Sequence, residues 1–405
     1  MNNERVTVCL YAAIAEQDAY RRRPRPALQK LKSTIKNGLN RFATRVSGSL
    51  ILEDYHYLGA KGLADNSNRG DIAIAIAIRQ EISKIFIPVP VDFIEYSWGS
   101  IDSNAVKKIN RNCDLFIIAG GGYIFIDSVG HINDRIDESF LRNINCPIVA
   151  YGIGLNRLMH EKTHPIEDLP SSTVRRLASF KNICSLIGVR DFDTKSLFDN
   201  NTNANVMLIG DPVLNLTESS QSLDRRAKSG PVVGINLAAH GWRAIAVLRK
   251  LLPSLVPFLA DVRHRYNAEF VYFLHHELER PVISFLRDRG FHLRVVDTDP
   301  VSMIGRYKEV DILICQMLHS CIFAANAGVP FMNIAYDNKS LAFASLLGIQ
   351  ECSFAHHGVD KSFLMDRFEK IYDKRVEITS IISQKKNGLL MSRQEFNKQI
   401  FSLIN

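Results

Sequence analysis

Hydrophobic and polar positions along the chain follow a strand-helix-strand order that is clearest in residues 311–348. There the apolar run 312–315 ends at a polar turn, a helical pattern follows, and a second apolar run, 329–335, ends in Tyr-Asp-Asn-Lys. Runs that are apolar at consecutive positions are typical of parallel strands covered on both faces. Gly328 and Pro330 mark the exit from the intervening helix. The pattern predicts a βαβ unit.

The same alternation recurs on both sides of a polar segment, residues 217–230, that lacks apolar periodicity. It predicts an α/β fold of two Rossmann-like, doubly wound domains that face a central cleft. The predicted first domain is 1–216, with a basic amphipathic insertion at about 21–66, and residues 217–230 form a linker to the second domain, 231–360. Helical patterns in residues 361–405 are expected to pack back on the first domain.

The insertion contains the most basic stretch of the chain, residues 21–46. Its apolar residues are spaced three and four apart, and its lysines and arginines fall largely on other faces, which predicts a basic amphipathic helix. Such a helix can lie on an anionic membrane surface. The alternative is that the apolar stripe packs on the domain and the charges are solvated. Because basic residues interleave poorly with aromatic ones here, we do not expect a nucleic-acid partner.

Composition narrows the class of protein. A chain of 405 residues is long enough for two cores, and 46% hydrophobic with 23% charged residues is ordinary for globular domains. No run approaches the roughly 20 apolar residues that span a bilayer, and the first residues lack the features of a secretory signal. The seven cysteines form no C-x-x-C pair. We therefore expect a cytoplasmic protein with reduced thiols and no bound metal.

Polar residues follow the predicted strands of the second domain, where ligands of open α/β sheets bind. The strand ends of the 311–348 unit carry Gln316, His319, Ser320, Tyr336, Asp337 and Lys339. Other predicted strand ends of this domain carry His240, His275, His276 and Glu277. A His-His-Glu run could bind a metal, but adjacent residues on a turn rarely point at one ion. We therefore expect these residues to face a bound ligand in the cleft rather than a metal.

The first domain offers three candidate elements. Gly70 permits a tight turn before an apolar helix, and Asp71 is expected to cap that helix, whose amides could bind an anion. Residues 120–122 are three glycines after a predicted strand, which fit either a ligand-facing loop or a packing turn. Arg190 ends another predicted strand and could bind an anion, the alternative being a salt bridge to Asp191 or Asp193.

The ordered set of these motifs resembles the polysaccharide pyruvyl transferase family between about Asn68 and Gly348. The motifs are Asn68-Arg69-Gly70-Asp71, Gly120-Gly121-Gly122, Tyr151-Gly152-Ile153-Gly154, Val189-Arg190-Asp191, Gly210-Asp211-Pro212, Leu318-His319-Ser320, Gly328-Val329-Pro330 and Tyr336-Asp337-Asn338-Lys339. The resemblance implies a fold similar to the two-Rossmann, GT-B-type glycosyltransferases. It also implies transfer of the pyruvyl group of phosphoenolpyruvate to a sugar, which leaves a ketal and free phosphate and needs no further cofactor.

The resemblance assigns roles to individual residues. It implies that Arg190 binds the donor's phosphate or carboxylate and that His319 matches the histidine of an Arg-x-His element. Histidine titrates near neutrality and suits protonation of the donor's methylene carbon. Expected donor contacts are Lys339, Gln316, Ser320, Gly120, Gly121, Gly122 and Tyr336. Expected acceptor or cleft contacts are Asp71, His240, His275, His276 and Glu277.

One departure from the family pattern bears on the donor. The family arginine two residues before the histidine is Met317 here, and methionine cannot bind an anion. The residues expected to take its place are Gln316, Lys339 and Arg306. Otherwise the donor differs, and the alternative is a glycosyltransferase that uses a nucleotide-activated sugar on the same architecture. A third hypothesis is a non-catalytic partner in glycan assembly whose site has decayed.

The expected acceptor is a surface-polysaccharide or lipid-linked glycan precursor. The net charge of +8 and the basic helix fit an acceptor held at the inner membrane face.

Overall fold

The computed structural model describes residues 5–19, 67–157, 159, 167–202, 205–217, 230–239 and 241–404. The predicted insertion at about 21–66, most of the predicted linker and His240 lie outside these residues. The described residues form two six-stranded parallel sheets with helices packed on them. No described helix is both long enough and apolar enough to cross a membrane.

The first sheet contains the strands β1 (Val6–Ala12), β2 (Val91–Ser97), β3 (Leu115–Ile126), β4 (Ile148–Arg157), β5 (Leu186–Val189) and β6 (Met207–Leu208). Its order is β2-β1-β3-β4-β5-β6, so the direction of winding reverses between β1 and β3. Its helices are α1 (Arg69–Ile85), α2 (Ser103–Asn112), α3 (Ser171–Ile183) and α4 (Phe192–Asn201). Ligands of open α/β sheets bind outside the carboxyl ends of the strands at such a reversal.

The second sheet contains β7 (Val232–Asn236), β8 (Glu269–Phe273), β9 (Leu293–Val296), β10 (Ile312–Cys315), β11 (Phe331–Ala335) and β12 (Ser353–Ala355). Its order, β12-β11-β10-β7-β8-β9, is that of a dinucleotide-binding fold and reverses between β7 and β10. Its helices are α5 (Trp242–Tyr266), α6 (Arg280–Arg287), α7 (Pro300–Tyr307), α8 (Leu318–Asn326), α9 (Asn338–Leu346) and α10 (Lys361–Asp373). Strands β7, β10 and β11 are buried along their whole length, which explains their continuous apolar sequence.

The last helix, α11 (Arg375–Ile404), contacts both domains. Near its start, the Thr379 hydroxyl donates to the carbonyl of Gly328 at 3.2 Å in the second domain. Further along, the Asn397 side chain accepts a hydrogen bond of 2.9 Å from the Tyr151 hydroxyl in the first. A helix of 30 residues is roughly 45 Å long, which is enough to reach both sheets.

Two details differ from the sequence predictions. The glycines 120–122 do not follow a strand but lie inside β3, which continues to Ile126 in register with β4 apart from a shift between Gly121 and Ile124. A Cβ on Gly120 would lie 3.0 Å from the carbonyl oxygen of Gly152, so the glycine allows close approach of the two strands. The pair β3 and β4 therefore extends beyond the neighbouring strands at the carboxyl edge.

The start of α1 also differs. Its N-terminal cap is Asn68, whose side-chain oxygen accepts a hydrogen bond of 3.1 Å from the amide of Gly70. The prediction that Asp71 caps the helix is therefore wrong. Asp71 is the third residue of α1, in its first turn, where a carboxylate interacts favourably with the helix N-terminus.

Candidate active site

A cavity of about 230 Å³ lies where the carboxyl edges of the two sheets face each other. Loops and helix starts from both domains line it. The lining residues are Asn68, Asp71, Trp98, Gly122, Phe125, Arg135, Asn156, Arg190, Met317, Leu318, His319, Tyr336 and Lys339.

Asp71 is the carboxyl group of the cavity. The side-chain amide of Asn68 donates a hydrogen bond of 2.8 Å to the Asp71 carboxylate, and Asp71 is partly buried. Burial raises the pKa of Asp71 to about 6, although the nearby Lys339 acts in the opposite direction. A carboxyl group with this pKa is ionised at neutral pH and close enough to neutrality to exchange a proton during a reaction.

His319 is the second residue of α8 and enters the cavity from the second domain. Its ring lies directly against Gly70 of α1, and a Cβ at Gly70 would overlap the imidazole. Glycine at this position therefore lets the backbone of one domain approach the histidine of the other.

Arg190 follows β5 and is only 2% exposed although it lines the cavity. Its Nε donates to Asp191 at 3.2 Å, and its Nη1 lies 4.0 Å from Asp211. The salt bridge to Asp191 considered from the sequence is thus present. The buried Nη2 has no hydrogen-bond partner, so one donor of the guanidinium is available to a ligand.

Lys339 stands at the start of α9, with its ammonium 3.0 Å from Asp337 and 5.8 Å from the centre of the Tyr336 ring. Burial acts to lower the pKa of Lys339, but Asp337 and Tyr336 outweigh it and raise the pKa above its ordinary value. Burial raises the pKa of Tyr336 to about 12. The lysine is therefore a permanent cation, and the tyrosine a neutral hydroxyl, at neutral pH.

The extended pair β3 and β4 forms a further wall. Gly122 and Asn156 lie side by side on it, because a Cβ at Gly122 would contact the Asn156 amide at 3.3 Å. Arg135 and Trp98 complete the wall, with the guanidinium carbon 4.8 Å from the ring centre. Gly122 was predicted from the sequence, whereas Asn156, Arg135 and Trp98 were missed. Asn156 lies in the part of β4 beyond the apolar run, and Arg135 lies on a short 3-10 helix after β3.

Arg69 joins the two domains beside the cavity. It is 3% exposed, its Nε donates to the carbonyl of Thr298 at 2.8 Å, and its guanidinium forms a salt bridge with Asp297. Its amide donates to the carbonyl of His275 at 3.0 Å. These contacts fix the first turn of α1, which carries Asp71, against the second sheet.

Several predicted donor contacts lie behind the cavity surface. Gln316 is fully buried, and its side-chain oxygen accepts from the amide of Ala238 at 3.2 Å. Ser320 is also fully buried and donates to Asn236 at 2.5 Å. Both side chains hold the loop after β10 in place and do not line the cavity. Met317 does line it, and packs with Ala238, Ala244 and Tyr336.

The predicted contacts after β8 lie at the junction of the domains. The His275 Nε2 is 2.7 Å from the Tyr307 hydroxyl, the His276 ring caps a short 3-10 helix, and Glu277 pairs with Arg280 at 2.6 Å. None of these three lines the cavity. Among the described residues, no group of three His, Cys, Asp or Glu side chains could hold a metal ion.

The remaining candidates are also located by the structure. Gly121, with φ of +79°, lies near Trp98 and Ile74, and of the three glycines Gly122 lines the cavity. Arg306 pairs with Glu309 at 2.8 Å and is not a lining residue. It therefore does not take the place of the arginine that Met317 replaces.

Arg393 of α11 supports the site from behind. It is fully buried and donates to backbone carbonyls of Ile209, Asp211 and Pro212 at 2.7–3.2 Å. These carbonyls belong to the loop that holds the Asp211 carboxylate near Arg190. No pattern in the sequence predicted this contact, which joins residues 182 positions apart.

The cavity thus combines cations that can bind an anionic ligand with a histidine and a carboxyl group that can move protons. Such an arrangement suits acid-base chemistry on a small, negatively charged substrate.

The sequence model of the family described as "Polysaccharide pyruvyl transferase" matches residues 68–338, which include every residue lining the cavity except Lys339, the next residue along the chain. A search of curated proteins found no match.

Among solved structures, UDP-GlcNAc 2-epimerase from Neisseria meningitidis bound to UDP-GlcNAc is similar over 82% of this chain and 97% of its own, with a TM-score of 0.52 and 11% identity. The S. aureus MnaA-UDP co-structure is similar over 78% of this chain and 88% of its own, with a TM-score of 0.50 and 10% identity. The glycotransferase of kitacinnamycin is similar over 83% of this chain and 97% of its own, with a TM-score of 0.47 and 12% identity. The predicted two-domain, GT-B-like fold is confirmed.

Proposed function

The chain belongs to the polysaccharide pyruvyl transferase family, and from this premise we propose that it transfers the pyruvyl group of phosphoenolpyruvate to a sugar of a surface-polysaccharide or lipid-linked glycan precursor. The product is a pyruvate ketal, and inorganic phosphate is released. Family membership supports the broader class, a transferase that modifies a polysaccharide.

The observation that carries the proposal is the content of the cavity. Arg190 and Lys339 are cations at its surface, and one donor of Arg190 is unpartnered, so the site favours a ligand with more than one negative group. A volume of about 230 Å³ is below the roughly 300–1,000 Å³ of pockets that enclose drug-sized ligands. Phosphoenolpyruvate is small and carries a phosphate and a carboxylate, whereas a nucleotide sugar would have to extend far outside the cavity.

The chemistry assigns one task to each group. His319 donates a proton to the methylene carbon of the donor, which becomes a methyl group, and the neighbouring carbon becomes electrophilic. One hydroxyl of the acceptor adds to that carbon, and a second hydroxyl displaces phosphate to close the ketal. Two C–O bonds form and the C–O bond to phosphate breaks. Of the two hydroxyl protons, one restores His319 and the other leaves with phosphate.

Asp71 suits the removal of a hydroxyl proton, because its pKa of about 6 leaves it ionised at neutral pH. Arg190 and Lys339 stabilise the negative charge of the departing phosphate, a task for fixed cations in a site shielded from water.

Ligand binding tests the donor. We would titrate the protein with phosphoenolpyruvate, UDP and UDP-GlcNAc by calorimetry, and repeat the titrations on Lys339→Gln. A charged hydrogen bond contributes about 1.5–3 kcal/mol, so the variant should bind phosphoenolpyruvate at least about tenfold more weakly. The matched control is Lys195→Gln on α4, whose ammonium pairs with Asp199 at 2.8 Å away from the cavity.

Reaction products test the chemistry. With phosphoenolpyruvate labelled with carbon-13 at the methylene carbon and a glycan precursor extract, the labelled carbon should become a methyl carbon by NMR as phosphate appears. Binding of UDP or UDP-GlcNAc without any binding of phosphoenolpyruvate would refute the proposal and indicate glycosyl transfer.

A further inference from the structure

Arg135 differs from the other two cations of the cavity. Arg190 and Lys339 each pair with an aspartate, at 3.2 and 3.0 Å. The guanidinium of Arg135 has no carboxylate within 4.0 Å among the side chains that the structure describes, and its recorded side-chain contact is the face of Trp98. Apart from its longer-range effect on the Glu138 carboxyl, whose pKa it acts to lower against the larger effect of burial, its charge is available to a ligand.

The position of Arg135 is nevertheless fixed. Its carbonyl accepts a hydrogen bond of 2.8 Å from the hydroxyl of Tyr123, a fully buried residue of β3. Tyr123 packs edge-on against Trp98 with ring centres 5.3 Å apart. A guanidinium over an indole ring keeps its N–H groups in the plane free, so stacking orients the side chain without using its donors.

The cations of the cavity converge on one region. Arg135, Arg190 and Lys339 all act to lower the pKa of the Asp71 carboxyl, against the larger effect of burial. All three cations line the same cavity of about 230 Å³ as Asp71. A ligand that fills this cavity therefore meets all three.

Met317 stands where the family pattern has an arginine, so this position supplies no cation to the cavity. It is 3% exposed and packs in a small apolar cluster with Ala238, Ala244 and Tyr336. The start of α8 therefore supplies the imidazole of His319 but no cation, and the cation that the second domain contributes to the cavity is Lys339.

We propose that Arg135 binds an anionic group of the donor, a carboxylate or a phosphate, and so supplies from the first domain the cation that Met317 does not provide. The assignment rests on the proposed function, because it concerns the donor of that reaction. Asn156 and Phe125, which line the cavity from the extended strands, are then left to contact the acceptor.

Calorimetric titration of phosphoenolpyruvate into Arg135→Gln tests the assignment. Loss of a charged hydrogen bond should raise the dissociation constant about 10- to 100-fold, and Arg135→Lys should fall between this variant and the wild type. Because Arg135 is exposed, both variants should unfold at the wild-type temperature. The matched control is Arg375→Gln, which removes a guanidinium 4.4 Å from the ring of Tyr372 outside the cavity.

Inorganic phosphate and pyruvate, used as competing ligands, identify the anionic group. If Arg135 contacts the phosphate group of the donor, Arg135→Gln should weaken the binding of phosphate more than the binding of pyruvate. If Arg135 contacts the carboxylate, the binding of pyruvate should be weakened more. Equal weakening of both probes, with full recovery in Arg135→Lys, would show only a general effect of charge and would overturn the direct contact. Wild-type affinity for phosphoenolpyruvate in Arg135→Gln would overturn it as well. Failure of the wild type to bind phosphoenolpyruvate would instead refute the proposed function.

Discussion

Replacing Asp71 by asparagine should make the protein more stable at neutral pH. Burial in the cavity raises the pKa of this carboxyl from 3.8 to about 6. The folded state therefore binds the proton of Asp71 more tightly than the unfolded state, and the protonated carboxyl stabilises the fold. This contribution to the free energy of unfolding is fully present below pH 3.8 and is lost as the pH rises through about 6.

The size of the effect follows from linkage. A tenfold change in proton affinity corresponds to about 1.4 kcal/mol, so the pKa difference amounts to roughly 3 kcal/mol in total. About 2 kcal/mol of this falls between pH 4.5 and 7.5. Because Asp71 is partly exposed, solvent screening reduces the figure, and we expect about 1–2 kcal/mol.

The assay is urea denaturation of the wild type and Asp71→Asn at pH 4.5 and 7.5. Asparagine is neutral at both values and can still accept the hydrogen bond from Asn68. The stability of the variant relative to the wild type should therefore increase by about 1–2 kcal/mol from the lower to the higher pH. Effects of the substitution that do not depend on charge cancel in this difference.

A control variant is Asp366→Asn, which removes an exposed carboxylate of α10 that pairs with Lys370. Its relative stability should not increase with pH. If Asp71→Asn gained no stability at pH 7.5 over pH 4.5, the cavity would not shield this carboxyl from water, and its role as a proton acceptor would lose its physical basis. A gain of stability together with lost turnover is expected of a group retained for function.

Two further substitutions test how the site is held. Arg190→Ala leaves the buried carboxylates of Asp191 and Asp211 without their cation, which should destabilise the fold by about 3–5 kcal/mol in urea denaturation; near-native stability would contradict the buried pairing. Gly70→Ala should lower turnover about 100-fold, because its methyl group displaces the His319 ring. Wild-type turnover in this variant would show that the ring is not needed where it lies.

The fold was largely predictable because parallel strands buried on both faces leave continuous apolar runs. The runs 312–315 and 329–335 correspond to β10 and β11 within two residues. The order of strands was not predictable, since it depends on which side of the first strand each crossover packs. The extent of β3 was also missed, because a run of three glycines is as typical of a turn as of two strands in close contact.

The site was predictable where residues follow strands or begin a helix. Arg190, His319 and Lys339 were found after strands and Asp71 at a helix start, and all four line the cavity. Arg135 was not, since it lies on a short 3-10 helix reached through an isolated bridge after β3. Arg393 escaped for a similar reason, because its partners are backbone carbonyls that leave no pattern in the sequence.

The charges of the cavity explain why anion binding and protonation should be coupled. Arg190 and Lys339 each pair with an aspartate carboxylate. A ligand with several negative charges, such as phosphoenolpyruvate, therefore competes with these carboxylates for the two cations. Burial has raised the pKa of both Asp71 and Asp211, and further negative charge beside them raises it again. Under the proposed function, a bound donor therefore makes Asp71 a stronger base, which favours removal of the acceptor's hydroxyl proton. As phosphate departs, the pKa of Asp71 falls again, and the group can return its proton to solvent before the next cycle.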